Sequence, residues 1–298
     1  MVNVLSLFDG DGGAMVALEE AGIECSNYFA SEINPHSIKV AKKNYPAIQH
    51  LGDVTKLSDE QLLALPKIDL LVGGSPCQGF SLQGTMYGSS TYTGIDVTSL
   101  EQYLELKEQG VVFKGESYLF WEYIRVLRLL KPKFFLLENV KVTGRWVAMF
   151  NEAVGVKPKL LDGAILSAQT RKRYYWTNIE VEPLVDKGLS ISDIVGEPAR
   201  GCAKRGRYNS EGITEQQLEF NKTNKANCIT TVGKDSMVQV GDEVRNLSNE
   251  EREELQGLPR GYTSCAPKTH RLKMIGNGFN IPTVSHILKG IKKWLELV

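Results

Sequence analysis

Cys77 stands in the string Ser75-Pro76-Cys77-Gln78, directly after the apolar run 68–74. A thiol on the loop after a buried strand occupies the place where open α/β sheets put their reactive centres. As a thiolate it is a competent nucleophile. A packed free cysteine is the alternative, although a core thiol has no need of a turn built from one proline and two glycines. Glu138 opens Glu138-Asn139-Val140 at the end of a second apolar run, 134–137. A carboxyl group at that edge serves either as a helix cap or as an acid whose pKa is raised by burial. Gln169-Thr170-Arg171-Lys172-Arg173 precedes another strand. Alternate residues of an extended segment share a face, so Arg171 and Arg173 together suit an oxyanion or phosphate clamp.

A second group of residues points to a nucleoside ligand. Phe8-Asp9-Gly10-Asp11-Gly12-Gly13 joins the first strand to the first helix. Gly10 and Gly12 let the backbone approach a ligand at a helix amino terminus. Met15 stands where a dinucleotide fingerprint has its third glycine, which argues against NAD or FAD. Glu32 follows the second strand and is placed to hold two ribose hydroxyls. Asp53, in Gly52-Asp53-Val54, is placed to accept from an adenine amino group. A glycine turn with acids after strands two and three suits an adenosyl ligand without a pyrophosphate. S-adenosylmethionine fits best. Strand-end acids also serve as helix caps, which is the plainer reading of each acid alone.

The elements that must position these groups are legible in outline. Residues 2–8, 28–31, 68–72 and 134–137 read as buried strands, with 160–166 and 174–179 as later ones. Helices are expected over 14–20, from Pro35 onward, over 119–130 and over 285–297, and a short one over 100–106. Repeated βα units of this length predict a doubly wound, mostly parallel, Rossmann-like sheet. Two stretches break the rhythm. Residues 83–116 are long and polar and read as a mobile lid after the candidate nucleophile. Over 180–262 the pattern fades and Arg200, Lys204, Arg205, Arg207, Lys222 and Lys225 accumulate. The expected organisation is a catalytic and cofactor-binding domain over 1–179 and a small second domain over 180–262. A segment over 263–298 returns to the first.

The 298 residues are 42% hydrophobic and 23% charged, which fits a folded globular chain and not a disordered one. No apolar run approaches the roughly 20 residues that a membrane span requires. The first residues carry no basic leader and read as a strand, not a signal peptide. Five dispersed cysteines and four dispersed histidines offer no metal-ligand spacing, and they fit a reducing cytoplasm. The formal net charge is zero but unevenly spread. Residues 1–140 carry 11 basic and 17 acidic side chains, against 24 and 18 in the remainder. A basic half suits a polyanionic partner.

In order along the chain, Phe8–Gly13, Glu32, Asp53, Pro76-Cys77-Gln78, Glu138-Asn139-Val140, residues 169–173, residues 245–259 and Gly276-Asn277 resemble the C5-cytosine DNA methyltransferase family over nearly its full length. The lid and the start of the 118–122 helix look most like short phage or bacterial members, related to the vertebrate de novo enzymes. The resemblance implies an S-adenosylmethionine-dependent enzyme acting on double-stranded DNA, with a flipped-out cytosine and no metal. It makes Cys77 the nucleophile at C6, Glu138 the acid at N3 and the amino group, Arg173 the residue at O2, and Arg171 a support for that pocket. It places Phe8 and Ile33 near the adenine, Gly10 and Gly12 along the methionine moiety, Glu32 at the ribose and Asp53 at the adenine amino group. Leu119 and Asn277 match cofactor-contacting positions. Gln78, Thr230 or Thr231, and the basic Arg205 and Arg207 become candidate DNA contacts, with 180–262 as the target-recognition domain.

The same implications carry restriction–modification, a cytoplasmic setting in a bacterial or phage-infected cell, and a monomer as default. Two rivals share the residues: a tRNA cytosine-5 methyltransferase of the same fold, and a catalytically silent nucleic-acid-binding homologue. Asp11 departs from the pattern, because it puts an acid where the family has an uncharged residue. There it would repel the methionine carboxylate of the cofactor, turn toward water, or mark a different donor. The recognition segment is also short, which suggests a brief recognition site.

Overall fold

The computed structural model describes residues 1–76, 79–80, 88–142, 144–210 and 212–296. The strands of the first sheet are β1 (Val2–Leu7), β2 (Cys25–Ser31), β3 (Gln49–His50), β4 (Leu70–Gly74), β5 (Phe134–Val140), β6 (Lys159–Asp162) and β7 (Lys172–Thr177). They lie in the order β3-β2-β1-β4-β5-β7-β6. Pairing is parallel from β3 through β5, whereas β7 runs antiparallel to both of its neighbours. The central strands are continuous apolar runs because helices cover both faces. The strand order changes direction between β1 and β4, so a crevice opens beyond their carboxyl ends.

Helices α1 (Gly13–Ala21) and α2 (Pro35–Asn44) lie on one face with α9 (Lys268–Asn277) and α10 (Ile281–Leu295). The other face carries α3 (Asp59–Leu63), α4 (Leu100–Glu108), α5 (Leu119–Leu130) and α6 (Arg145–Val154). Helix α2 starts where the Asn34 side chain accepts from the His36 and Ser37 amides and Pro35 takes the first helical turn. The strand expected over 160–166 stops at Asp162, whose carboxylate caps a single 3₁₀ turn, 163–165. Helix α6 was not among the expected elements, although Trp146, Met149, Phe150 and Val154 bury one stripe at helical spacing.

The excursion after β4 is packed against the core over its described part. Val97, Leu100, Tyr103 and Leu106 are buried in the core. The fully buried Glu122 of α5 explains how that part is held. Its carboxylate accepts from Tyr103 Oη at 2.6 Å and pairs with Lys107 and with Arg125 Nε at 2.8 Å. Arg125 goes on to donate to the Val54 and Leu57 carbonyls and to pair with Asp59 at 2.6 Å. One carboxylate therefore ties α4 to α5 and to the turn that carries Asp53.

Over 180–262 the chain forms helix α7 (Ile191–Val195), strands β8 (Ala199–Tyr208), β9 (Thr214–Phe220), β10 (Met237–Val240) and β11 (Glu243–Asn246), and helix α8 (Asn249–Gln256). The four strands make an antiparallel sheet in the order β11-β10-β8-β9. Lys225 belongs to no basic surface: it is buried and donates to the Ser167 and Leu189 carbonyls. Helix α10 then packs against α1. Among the described residues, no helix is long and apolar enough to cross a membrane.

Removing the Glu122 carboxylate takes one of two charged partners from the buried Arg125 and the charged partner of the half-buried Lys107, a change worth about 3 kcal/mol. Glu122→Ala is therefore expected to lower the midpoint of thermal unfolding by several degrees. An unchanged midpoint in a calorimetric scan would contradict this account of the network.

Candidate active site

The reversal of β7 builds one wall of the site. Because β7 is antiparallel to β5, its first residues lie at the edge where β5 ends, with Val140 paired to Arg173 and Glu138 to Tyr175. Arg173 Nε reaches Glu138 Oε1 at 3.0 Å, and both side chains are nearly buried. Burial pushes the Glu138 carboxyl above its usual value, and the Arg173 and Arg171 guanidinium groups oppose that shift. Glu138 Oε2 lies over Gly74, where an added Cβ would meet it at 3.1 Å and Phe279 at the same distance. A glycine there leaves room for the acid at the mouth of β4.

Arg171 and Arg173 do not form a joint clamp. The strand begins at Lys172, so the alternation rule does not reach residue 171. Arg171 turns inward, where its Nη atoms donate to the carbonyls of Ile229 at 2.8 Å, Gly276 at 3.2 Å and Gly278 at 2.8 Å. It acts as a positioning residue. The two arginines meet at the Cys228 sulfur, 3.5 Å from Arg171 and 3.8 Å from Arg173.

Cys77 and Gln78 lie outside the described residues, but the chain on either side is anchored. Asn139 Nδ2 donates to both the carbonyl and the hydroxyl of Ser75 at 3.1 Å. Gly79 N donates to Ser117 Oγ at 2.8 Å, just before α5. The sequence assigned no role to Asn139 or Ser117. The position of Asn139 directly after Glu138, at a strand end facing a Ser-Pro turn, was the available signal.

The cofactor-side residues gather along β1 and β2. Phe8 adopts a left-handed backbone conformation with φ +57°. Glu32 is half-buried and bridges the turn, accepting from Gly10 N at 2.8 Å and from the Ile33 and Asn34 amides. Ile33 is 65% exposed, an apolar surface beside that carboxylate. Asp53 caps the next turn by accepting from Thr55, as the plainer reading had it, through Oδ1. Leu119 is half-buried at the start of α5, and Asn277 is exposed at the end of α9. A Cβ on Gly10 would meet nothing within 4 Å, so open space lies along the turn.

Asp11 does not turn toward water. It is 2% exposed and lies beside Asp9, which is 4% exposed and accepts from Tyr28 Oη at 2.5 Å. Desolvation lifts Asp9 to about 6, and desolvation with the Asp9 charge lifts Asp11 to about 7. Around neutral pH about half of the Asp11 carboxyl is thus protonated, which reduces repulsion of a nearby carboxylate.

Thr230 and Thr231 sit against the same assembly. Thr230 Oγ1 accepts from Val232 N and donates to Asp235 at 2.9 Å. Gly276 touches this segment so closely that an added Cβ would lie 2.4 Å from the Thr230 carbonyl carbon. Arg205 and Arg207 are exposed on β8, and both pair with Glu219. Among the described residues, no group of three His, Cys, Asp or Glu side chains gathers as a metal site.

The fold and this edge define a Rossmann-like methyltransferase architecture. A family model for C-5 cytosine-specific DNA methylase matches residues 2–144 and 157–293, and the chain belongs to that family. The chain is 24% identical over 333 residues to the type II methyltransferase M1.ScrFI of Lactococcus lactis subsp. cremoris, covering 98% of this chain and 78% of that relative. It is 34% identical over 142 residues to M1.HphI of Haemophilus parahaemolyticus and 29% over 198 residues to M.NlaIV of Neisseria lactamica. Those alignments take in 46% and 59% of this chain and only 32% and 41% of the relatives. In fold it is similar to the Dnmt2 methyltransferase of S. pombe, with a TM-score of 0.69 at 17% identity over 99% of both chains. It is also similar to a putative DNA modification methyltransferase of an E. coli prophage, with a TM-score of 0.64 at 18% identity over 99% of this chain and all of the other.

A carboxyl group raised by burial stabilises the fold while it is protonated. That contribution is complete below the unfolded value of 3.8 and is lost as pH rises through about 6 for Asp9 and about 7 for Asp11. For Asp11 the full effect is on the order of 4 kcal/mol. Asp11→Asn should therefore flatten the decline of the unfolding midpoint as pH rises from 3.8 to about 7. A decline as steep as that of the parent protein would show that Asp11 does not titrate in this window.

Proposed function

We propose that the protein transfers a methyl group from S-adenosylmethionine to C5 of a flipped-out cytosine in duplex DNA, through a covalent adduct on Cys77. The observation that carries this reading is the Glu138–Arg173 pair at the edge where β4 delivers the chain toward residue 77. An acid whose pKa is raised by burial and a guanidinium 3.0 Å away match the ring N3 and O2 of a pyrimidine. The cofactor supplies an electrophilic methyl group. The open turn at Gly10, the half-buried Glu32, the exposed Ile33 and the second oxygen of Asp53 fit its adenosyl portion.

In this reading the Cys77 thiolate adds to C6 of the cytosine, and Glu138 gives a proton or strong hydrogen bond to N3 as electron density moves into the ring. The resulting enamine carbon, C5, would take the methyl group as its bond to the sulfonium sulfur breaks, leaving S-adenosylhomocysteine. Loss of the C5 proton to a base then expels the thiolate and restores the aromatic ring. Arg173 orients Glu138 and the ring oxygen. Arg171 supports the pocket through the Ile229, Gly276 and Gly278 carbonyls. The target base must leave its helix to reach this edge. The four-stranded sheet over 199–246 serves as the target-recognition domain. A restriction–modification role in a bacterial cytoplasm accords with the type II relatives.

Cys77→Ala should abolish methyl transfer and the trapped adduct on duplex DNA containing 5-fluorocytosine; substantial residual methylation would sink the covalent mechanism. Parallel tritium transfer to tRNA distinguishes the DNA enzyme from its tRNA counterpart. Glu138→Ala is expected to lower kcat by roughly 10²-fold or more. Its affinity for S-adenosylhomocysteine should stay within a few-fold of the parent's. Equal losses in both would argue against its assignment as the acid.

A further inference from the structure

The distal half of the β8–β9 hairpin projects from its sheet with both faces in solvent. Lys204 to Tyr208 and Thr214 to Leu218 are all exposed, although Gly201 to Ala203 at its base are buried. Strand β9 is also the edge of the four-stranded sheet, so its outer side has no strand partner. Such a ribbon gains little from its own burial. Its tip nevertheless carries Tyr208 at 81% exposure and Ile213 at 57%.

The register divides the ribbon into two unlike faces. On one face Arg205, Arg207, Glu215 and Glu219 lie together, and Glu219 accepts from Arg207 at 2.5 and 3.0 Å. That face neutralises itself. On the other face Lys204 pairs with Leu218, Gly206 with Gln216 and Tyr208 with Thr214, with Arg200 stacked on Phe220 at the base. No carboxylate stands at any of these positions. Lys234 reaches in to Gln216 Oε1 at 3.4 Å, and neither Lys204 nor Lys234 has a carboxylate partner among the described residues. Gly206 leaves space for the Gln216 amide, since an added Cβ would lie 3.3 Å from Gln216 Nε2.

The chain links this cationic face to the candidate active site. Arg173 contacts Cys228 at 3.8 Å, the chain passes through Thr230 and Asp235, and Lys234 contacts Gln216. We infer that the β8–β9 ribbon enters the DNA major groove on its Lys204–Gln216–Tyr208 face. In this arrangement Gln216 reads a base edge beside the target cytosine, while Lys204 and Lys234 hold phosphates. The inference rests on the reading of the protein as a DNA methyltransferase. A major groove admits a two-stranded ribbon, and glutamine is a residue type that pairs with adenine there. Tyr208 and Ile213 suit the apolar thymine methyl group at the same depth. Arg205 and Arg207, the arginines expected from the sequence to meet DNA, lie on the opposite face.

The test compares the parent protein, Gln216→Ala and the double variant Lys204→Ala/Lys234→Ala on duplex DNA of random sequence, with bisulfite sequencing as readout. Gln216→Ala should lose discrimination at one flanking position by roughly tenfold, with affinity for S-adenosylhomocysteine unchanged. The double variant should weaken duplex binding evenly across sequences, with the slope of log K against log salt shallower by about one to two. Unchanged flanking preference together with an unchanged salt slope would overturn the inference. So would losses confined to tRNA binding. A parent protein that binds duplex DNA with the expected slope but never methylates it would instead overturn the proposed reaction, because the salt slope is measured without methyl transfer.

Discussion

The buried guanidinium of Arg171 is the contact on which the rest of the site depends. Taking a cation out of water is costly unless its donors are satisfied. Here both Nη groups are met by carbonyls from the 229 segment and from the end of α9, although Nε has no partner among the described residues. Two stretches far apart in sequence are thereby drawn to the first residues of β7. Because β7 is the reversed strand, those residues stand beside Glu138. A parallel strand in its place would put Arg173 at the opposite edge of the sheet, away from the acid it pairs with.

Much of this was legible from residue types. Strands β1, β4 and β5 are mostly apolar, and α5 shows helical spacing between a start near Leu119 and a stop before Lys131-Pro132. The candidate acid and arginine were recognised from their places at strand ends. What stayed hidden depended on tertiary partners. Strand β9, Thr-Glu-Gln-Gln-Leu-Glu-Phe, has little strand character of its own and exists because β8 pairs with it. Arg171 and Lys225 read as free charges in the sequence, and only the surrounding carbonyls show that they are internal fasteners. The described part of 83–116 looked polar enough for a lid, yet its few apolar residues are enough to bury it.

The glycine turn shows a local rule overridden in a useful way. An acid at position 11 should disfavour an anionic ligand group, and its sequence neighbours offer no cation. Burial beside Asp9 changes its protonation instead, so the turn presents hydrogen-bonding capacity with reduced charge. Tyr262 fixes the same turn from outside by donating to the Asp11 carbonyl at 2.8 Å. The catalytic sheet and the segment that follows the second sheet therefore share responsibility for the shape of the ligand crevice.

The contact at Gly276 bears on how such a protein diversifies. The backbone of Thr230–Thr231 rests on a position where no side chain fits, and the Ile229 carbonyl is held by Arg171. The four-stranded sheet thus meets the first sheet's side through the 226–231 segment and a small shared core of Ala168, Ile229, Val238, Leu247 and Ile275, whereas the distal part of its hairpin is exposed. Evolution can rewrite the hairpin, or exchange the whole sheet with that of a relative, as long as that contact is kept. The two sheets can then change at different speeds while the contact between them stays the same.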